Sequence, residues 1–315
     1  MIRSLLASCL LFIAFVIQAQ PVVVEERGPW SLHAISDGVW NIQDYNSGNP
    51  RGIQLDSDGN RAGMNNTSDI YLVVGSEKAM MIDMSNPVSW DDTAAQSLHD
   101  LVYGVVGSKP LYISATHFHG DHLGMAPVFI GDVQARFWLS EGEFSALDKF
   151  PDNQTTWTAP GASMDLGGIT VDTMELPGHT PHSTLFFIKD KNMVFTGDAM
   201  GSGIGVWLFD YDSFLVYRES VDRLINTLED AAFGIDTDAL RIHSAHSWQY
   251  PGDELTMQYI FDMRTLIDLM GRGLVKPEDY SVPIPFLDAT FTYGVATITW
   301  NKAAASRFQE ETASR

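Results

Sequence analysis

Within the six residues His117-Phe118-His119-Gly120-Asp121-His122 stand four side chains that can bind a metal ion. Neutral imidazole and carboxylate are ordinary zinc ligands. On a strand, alternate side chains share a face, so His117 and His119 are expected to point the same way. Gly120 then permits a sharp turn that brings Asp121 and His122 towards the same space. Such a cluster can feed two adjacent ions. His179, Asp198 and His246 stand at the ends of separate apolar stretches, so five of the nine histidines occupy ligand-type positions. A merely His-rich surface loop would not place them at strand ends. The only cysteine, Cys9, lies in the amino-terminal apolar run, and a metal held by the rest of the chain must rely on His and carboxylates.

The surrounding pattern supplies elements to position these groups. Gly38–Gln43, Ile70–Gly75 and Ala79–Asp83 read as strands, the last two joined as a hairpin through Gly75-Ser76-Glu77-Lys78. Residues 91–104 carry Ala95, Leu98, Leu101 and Val102 at helical spacing, and Leu111–Ala115 reads as the strand that feeds the His cluster. Further on, Ile169–Glu175 and Leu185–Lys189 flank Pro177-Gly178-His179-Thr180, and Met193–Thr196 stops at Gly197-Asp198. Leu240–Ser244 leads to His246, while Ser213–Leu228 and Glu254–Met270 read as helices and Phe291–Trp300 as a terminal strand. This order of strands and helices favours a layered α/β sandwich over a simple parallel sheet.

The 315 residues are 45% hydrophobic and 19% charged, which suits a sizeable globular core and excludes disorder, collagen and coiled coil. Nineteen basic against 40 acidic residues give a formal charge of −21, which repels a phosphate backbone and argues against nucleic acid as partner. After Arg3 the apolar run Leu5–Ile17 has the length of a signal-peptide core and is short of the ~20 residues of a membrane span. Ile17-Gln18-Ala19 reads as the processing site. The expected organisation is a signal peptide over 1–19 and one domain over 20–315, located in the periplasm or secreted. Leu6-Ala7-Ser8-Cys9 looks like a lipoprotein box, but lipidation there would leave almost no apolar run before the cysteine, so no stable membrane anchor is expected.

The ordered set Asp83, His117-x-His119-x-Asp121-His122, His179, Asp198 and His246 resembles the metallo-β-lactamase superfamily over roughly residues 35–250. The resemblance implies an α/β fold, the αβ/βα four-layer sandwich, with the metals at one edge between the halves. It implies zinc, two ions per chain, with iron or manganese as other options. His117, His119 and His179 would hold the first ion, and Asp121, His122 and His246 the second. Asp198 would bridge them, and Asp83 would orient ligands from behind. His182 stands where relatives often have Gly or Ser and is expected beside the pocket or supporting the ligands. Ser244-Ala245-His246 resembles the family's small-residue turn before a ligand, which favours His246 over His243; His33 and His99 are read as structural or solvated.

Within the superfamily, Asp198 stands where some β-lactamase subclasses carry a cysteine, and resembles instead the glyoxalase II, lactonase and organophosphate hydrolase branches. Gly201 replaces the tyrosine typical of N-acyl homoserine lactonases, and the segment after His246 lacks the basic glutathione site of glyoxalase II. Flavodiiron proteins usually carry glutamate at the position of His119, together with a flavodoxin domain. Persulfide dioxygenases resemble the whole motif but use one iron held by two His and one Asp.

These features lead to the expectation of an exported dinuclear zinc hydrolase that cleaves an ester, lactone or amide bond, β-lactams included, of a small uncharged or weakly charged molecule. Two ions about 3.5–4 Å apart would share a water and lower its pKa towards 7. Asp121 and Asp198 are the candidate catalytic carboxylates, Asp121 through proton handling. Phosphoester or phosphotriester hydrolysis, iron-dependent persulfide oxidation and non-catalytic metal binding are the alternatives. Trp157, Trp207, Phe209 and Trp248 are candidates for an aromatic rim, the Gly-rich stretch 200–209 for a mobile pocket wall, and 44–68 for a lid.

Overall fold

A strand that is apolar on both faces must be covered on both sides, and several strands of this chain are of that kind. Ala79–Ile82, Thr184–Ile188 and Met193–Gly197 are buried at every position. The computed structural model describes residues 22–44, 53–55, 61–64, 67–89, 91–249, 254–280 and 286–314. Residues 1–19, read from the sequence as a signal peptide, with Cys9 among them, and most of the 44–68 stretch lie outside the described residues.

Two sheets face each other. One has eight strands in the order Val22–Arg27, Trp30–Ser36, Val39–Asp44, Ile70–Val74, Ala79–Ile82, Leu111–Ser114, Ala135–Ser140 and Thr155–Thr158. The other has five, in the order Ser163–Asp165, Thr170–Glu175, Thr184–Ile188, Met193–Gly197 and Arg241–Ser244. Strand alternation sorts the side chains between layers. Tyr71, Val73, Met80 and Ile82 meet Phe186, Ile188, Met193 and Phe195 in the core between the sheets. Ile70, Leu72, Ala79 and Met81 point the other way, under the helix Ala94–Val106. On the far side Leu185, Phe187 and Val194 pack beneath the helices Tyr211–Glu229 and Met257–Gly271. Helix, sheet, sheet and helix are the four layers of an αβ/βα sandwich.

The helix Tyr211–Glu229 starts where Asp210 accepts from the backbone N–H of Ser213 at 2.7 Å and Ser213 returns a bond to Asp210, a reciprocal cap that fixes its first turn. The apolar stretch Phe291–Trp300 is two strands, Ala289–Tyr293 and Ala296–Trp300, closed by a turn at Gly294. This corrects the reading of one terminal strand. The turn fits because Asp262 of the Met257–Gly271 helix accepts from Val295 N–H at 3.0 Å and fills the space a side chain at Gly294 would need. The hairpin joins Val206–Trp207 and Glu278–Asp279 in a four-stranded sheet, and the helix Lys302–Ala313 follows.

The Ala79–Ile82 and Leu111–Ser114 strands run parallel in the first sheet, as do Met193–Gly197 and Arg241–Ser244 in the second. Asp83, His117, Asp198 and His246 all follow the carboxyl ends of these strands, the side of an α/β sheet where ligands bind.

Candidate metal centre

The strand Leu111–Ser114 ends before the His cluster, so His117 and His119 lie in the loop after it. Gly120 makes no left-handed turn; it opens a single helical turn, Gly120–Leu123, and a side chain at its position would meet nothing within 4 Å. The helical turn, entered from an extended His119, brings Asp121 and His122 round. Glycine is required at two other places. Gly178 (φ +144°) and Gly197 (φ +54°) each precede a ligand-type residue. A Cβ at the first would stand 2.5 Å from Cβ of Tyr217, and at the second 2.3 Å from Oγ1 of Thr116. Both backbones are thereby pressed against their neighbours, which delivers His179 and Asp198 to the rim.

Three imidazole nitrogens converge there. Nε2 of His117 lies 3.1 Å from Nδ1 of His119, and Nε2 of His179 lies 3.3 and 3.0 Å from those two atoms. The outer nitrogens of two of these rings are already committed. Thr116 Oγ1 donates to Asp83 and accepts from Nδ1 of His117 at 3.1 Å, while Nδ1 of His179 donates to the Trp207 carbonyl at 2.9 Å. Their inner nitrogens therefore carry lone pairs aimed at a shared point. A zinc–nitrogen bond of about 2.05 Å in a tetrahedron separates ligand atoms by about 3.3 Å, close to the observed spacing.

A second group of ligand atoms adjoins the first: Asp121, His122, Asp198 and His246. Nδ1 of His122 donates to Oδ2 of Asp83 at 3.0 Å, and Nδ1 of His246 to the Thr67 carbonyl at 2.6 Å. Both Nε2 atoms are buried and make no hydrogen bond, and the same is true of Oδ1 of Asp198. Oδ1 of Asp198 lies 3.0 Å from His246 and 3.4 Å from His122, whereas its Oδ2 lies 3.7 Å from His179 and 4.0 Å from His117. One carboxylate thus offers one oxygen to each group. Buried polar atoms without partners are costly, and this donor set fits a pair of cations.

Electrostatics divide the groups in the same way. Burial, reinforced by His122 and His179, holds His117 well below the usual histidine range, and burial takes His119 down to about 4. For His122 and His246 burial acts downwards too, but carboxylates outweigh it: Asp121, Asp83 and Asp198 push His122 well up, and Asp198 and Asp121 raise His246 to about 9. Burial would raise Asp198, yet His246 and His122 hold it well below its ordinary value. The first group is neutral and ready to ligate, while the second calls for positive charge. Asp83, at φ +63°, serves both: Oδ1 accepts from Thr116 N–H at 2.7 Å and Oδ2 holds His122.

Of the proposed rim, Phe209 stands with its ring 5.8 Å from His119 and 5.7 Å from His179. Trp207 lines a small cleft with His179, Asp198, Ser202, Ile204, Gly205 and His246. Trp248 donates to the same Thr67 carbonyl that holds His246. Trp157 is elsewhere: it sits on the edge strand Thr155–Thr158 and packs, half-buried, against the apolar cluster of the eight-stranded sheet. His182 joins neither group of ligand atoms; its ring pairs with Glu175 at 3.1 Å. The Gly-rich stretch is tied down, since Gln249 Oε1 accepts from Ser202 Oγ and Ile204 N–H and Thr299 Oγ1 donates to the Ile204 carbonyl. His243 lies half-buried between the sheets, its ring stacked on Phe195. The sequence reading missed Glu143 and Asp69, two buried carboxylates that bond the ligand-bearing loops.

Residues 65–234 match the profile of the metallo-beta-lactamase superfamily. The chain belongs to this superfamily. Within it, the chain is 28% identical over 180 residues to a coenzyme F420H(2) oxidase of Methanothermobacter marburgensis, covering 53% of this chain and 41% of the relative. It is 30% identical over 167 residues to an atrochrysone carboxyl ACP thioesterase of Aspergillus chevalieri, covering 51% and 46%. The chain thus spans less than half the length of either relative. A solved metallo-beta-lactamase from Pontibacter korlensis shares the fold, with a TM-score of 0.53 at 15% identity over 76% of this chain and 99% of the other.

Proposed function

We propose that the protein is an exported hydrolase that holds two zinc ions and cleaves an ester, thioester, lactone or amide bond of a small molecule. The observation that carries this reading is the split of the Asp198 carboxylate, Oδ1 towards His122 and His246 and Oδ2 towards His117 and His179. The similarity to a thioesterase adds the thioester to the bonds considered. Bound ions would supply a water of lowered pKa and a Lewis acid for the scissile carbonyl. His117, His119 and His179 would hold one ion, Asp121, His122 and His246 the other, and Asp198 both.

The chain's own groups do the rest. Asp83 and the Thr67 and Trp207 carbonyls take the outer N–H of His122, His246 and His179, which fixes each ring's tautomer and direction. Asp121, half-buried 3.6 Å from both His122 and His246, would accept and pass on a proton. Phe209 and Trp207 form an apolar flank on the His179 side, suited to the acyl portion of a substrate. Among the described residues no helix is long and apolar enough to cross a membrane, and the amino-terminal apolar run supports export.

The test is elemental analysis of protein purified without chelators, followed by a panel of lactam, lactone, aryl ester, thioester and phosphotriester substrates. Two equivalents of zinc and turnover of one carbonyl class are the expected result. Similarity to an oxidase supports a second reading, oxygen chemistry, with iron as the metal that the motif's resemblance to persulfide dioxygenases implies. Oxygen uptake by the iron-loaded form with a persulfide, with an inert zinc form, would replace the first reading by the second.

A further inference from the structure

Two buried carboxylates outside the ligand set bond the loops that carry it, one for each group. Glu143 is 6% exposed and sits in the short helix Glu141–Phe144. Its Oε1 accepts from the backbone N–H of Phe118, the residue between His117 and His119, at 3.1 Å. Its Oε2 accepts from the backbone N–H of His182, three residues after His179, at 2.9 Å. One side chain thus ties together the two loops whose imidazole nitrogens converge.

Asp69 is 1% exposed and brackets His246 from both sides. Its backbone N–H donates to the Ala245 carbonyl at 2.6 Å, and its Oδ2 accepts from the Ser247 backbone N–H at 2.9 Å. Its neighbours in the chain continue the hold. The Thr67 carbonyl takes Nδ1 of His246, and Ser68 Oγ lies 3.2 Å from Nδ1 of His122.

A buried carboxylate is costly unless its acceptors are used, and here they are used on backbone N–H groups of ligand loops. We propose that Glu143 and Asp69 are positioning residues, one for each cation: Glu143 for the His117, His119 and His179 group, Asp69 for the His122 and His246 side. The proposal rests on the two-ion reading and adds to it that the two sites can be weakened separately. Loss of such support costs about 10–100-fold in metal affinity.

The experiment is a zinc titration of the metal-free full chain against a chromophoric chelator, with circular dichroism to show that each variant is folded. The wild type is expected to take two equivalents. Glu143→Ala should weaken one by about 10–100-fold, and Asp69→Ala the other, by a similar factor. Ligand variants say which is which. In a His246→Ala background Asp69→Ala should add nothing while Glu143→Ala still weakens the remaining ion, and in a His179→Ala background the pattern should reverse. Asp69→Asn keeps an acceptor for Ser247 and should restore both equivalents. If either alanine variant does not fold, Glu143→Gln, which turns an amide N–H against one loop, and Asp69→Ser, too short to reach Ser247, carry the comparison. Two equivalents bound equally well by every variant, or both equivalents weakened alike by each, would overturn the proposal while leaving the two-ion reading intact. A wild type that takes up no metal would overturn both.

Discussion

Nε2 of His246 lies 3.0 Å from Oδ1 of Asp198, and the two make no hydrogen bond. Two polar atoms so close and so poorly aligned are arranged for something placed between them and their neighbours. Replacing Asp198 with Asn leaves one oxygen to offer and turns an N–H donor towards the other group. It also removes the charge that offsets repulsion between two cations. Asp198→Asn is expected to retain one metal equivalent and lose the second, measured by elemental analysis after dialysis. Two equivalents retained would contradict the bridging role.

Hydrolysis and oxygen chemistry part at His122 and His246. A single iron held by two His and one Asp, as in the persulfide dioxygenases this motif resembles, would not need both of these rings. A two-ion hydrolase loses its second site without either. His122→Ala and His246→Ala are each expected to lower turnover of an ester, thioester or lactone by at least ~100-fold. An oxygen electrode should register no uptake. Variants with near-normal activity would argue for one ion.

Gly197 is pressed on Thr116, with a left-handed φ of +54° and 2.3 Å between its missing Cβ and Oγ1. That hydroxyl also relays Asp83 to His117, so a methyl group there strains the fold and shifts the first group together. Gly197→Ala is expected to destabilise the metal-free chain by about 2–4 kcal/mol, from overpacking plus the cost of a left-handed backbone. Urea unfolding gives the number, and an unchanged midpoint would show that the backbone relaxes freely.

The residues that converge in the two groups of candidate ligands are legible in the sequence because chemistry restricts which residues can serve, and short strands announce where they end. Their supports are not. Glu143 and Asp69 look like any acidic residue of a strongly acidic chain, and only the fold reveals that their acceptors are spent on Phe118, His182 and Ser247. Trp157, in the polar stretch 151–162, has the character of rim material, yet it lies on an edge strand that lays the half-buried ring against the apolar cluster of the eight-stranded sheet. The apolar run 291–300 hid a turn, since Gly294 gains its reason only from Asp262 on a distant helix. Gly120 suggested a turn and is instead the start of a helical one.

Asp69 gives the stability of the metal-free chain a pH dependence whose sign can be worked out. Burial raises its pKa from 3.8 to about 6, against the bonds from Ser247 and the influence of His246. An acid whose folded value is raised binds more protons folded than unfolded between those two values. Its contribution to stability therefore falls as pH rises through that window, and the cost is complete above about 6. The shift corresponds to roughly 3 kcal/mol. Asn has no proton to lose, so Asp69→Asn should flatten this part of the profile, and the gap between variant and wild type should move in favour of the variant as pH rises. Urea unfolding of both metal-free proteins at pH 4, 5, 6 and 7.5 measures it. Parallel profiles across that range would show that Asp69 enters the fold already charged.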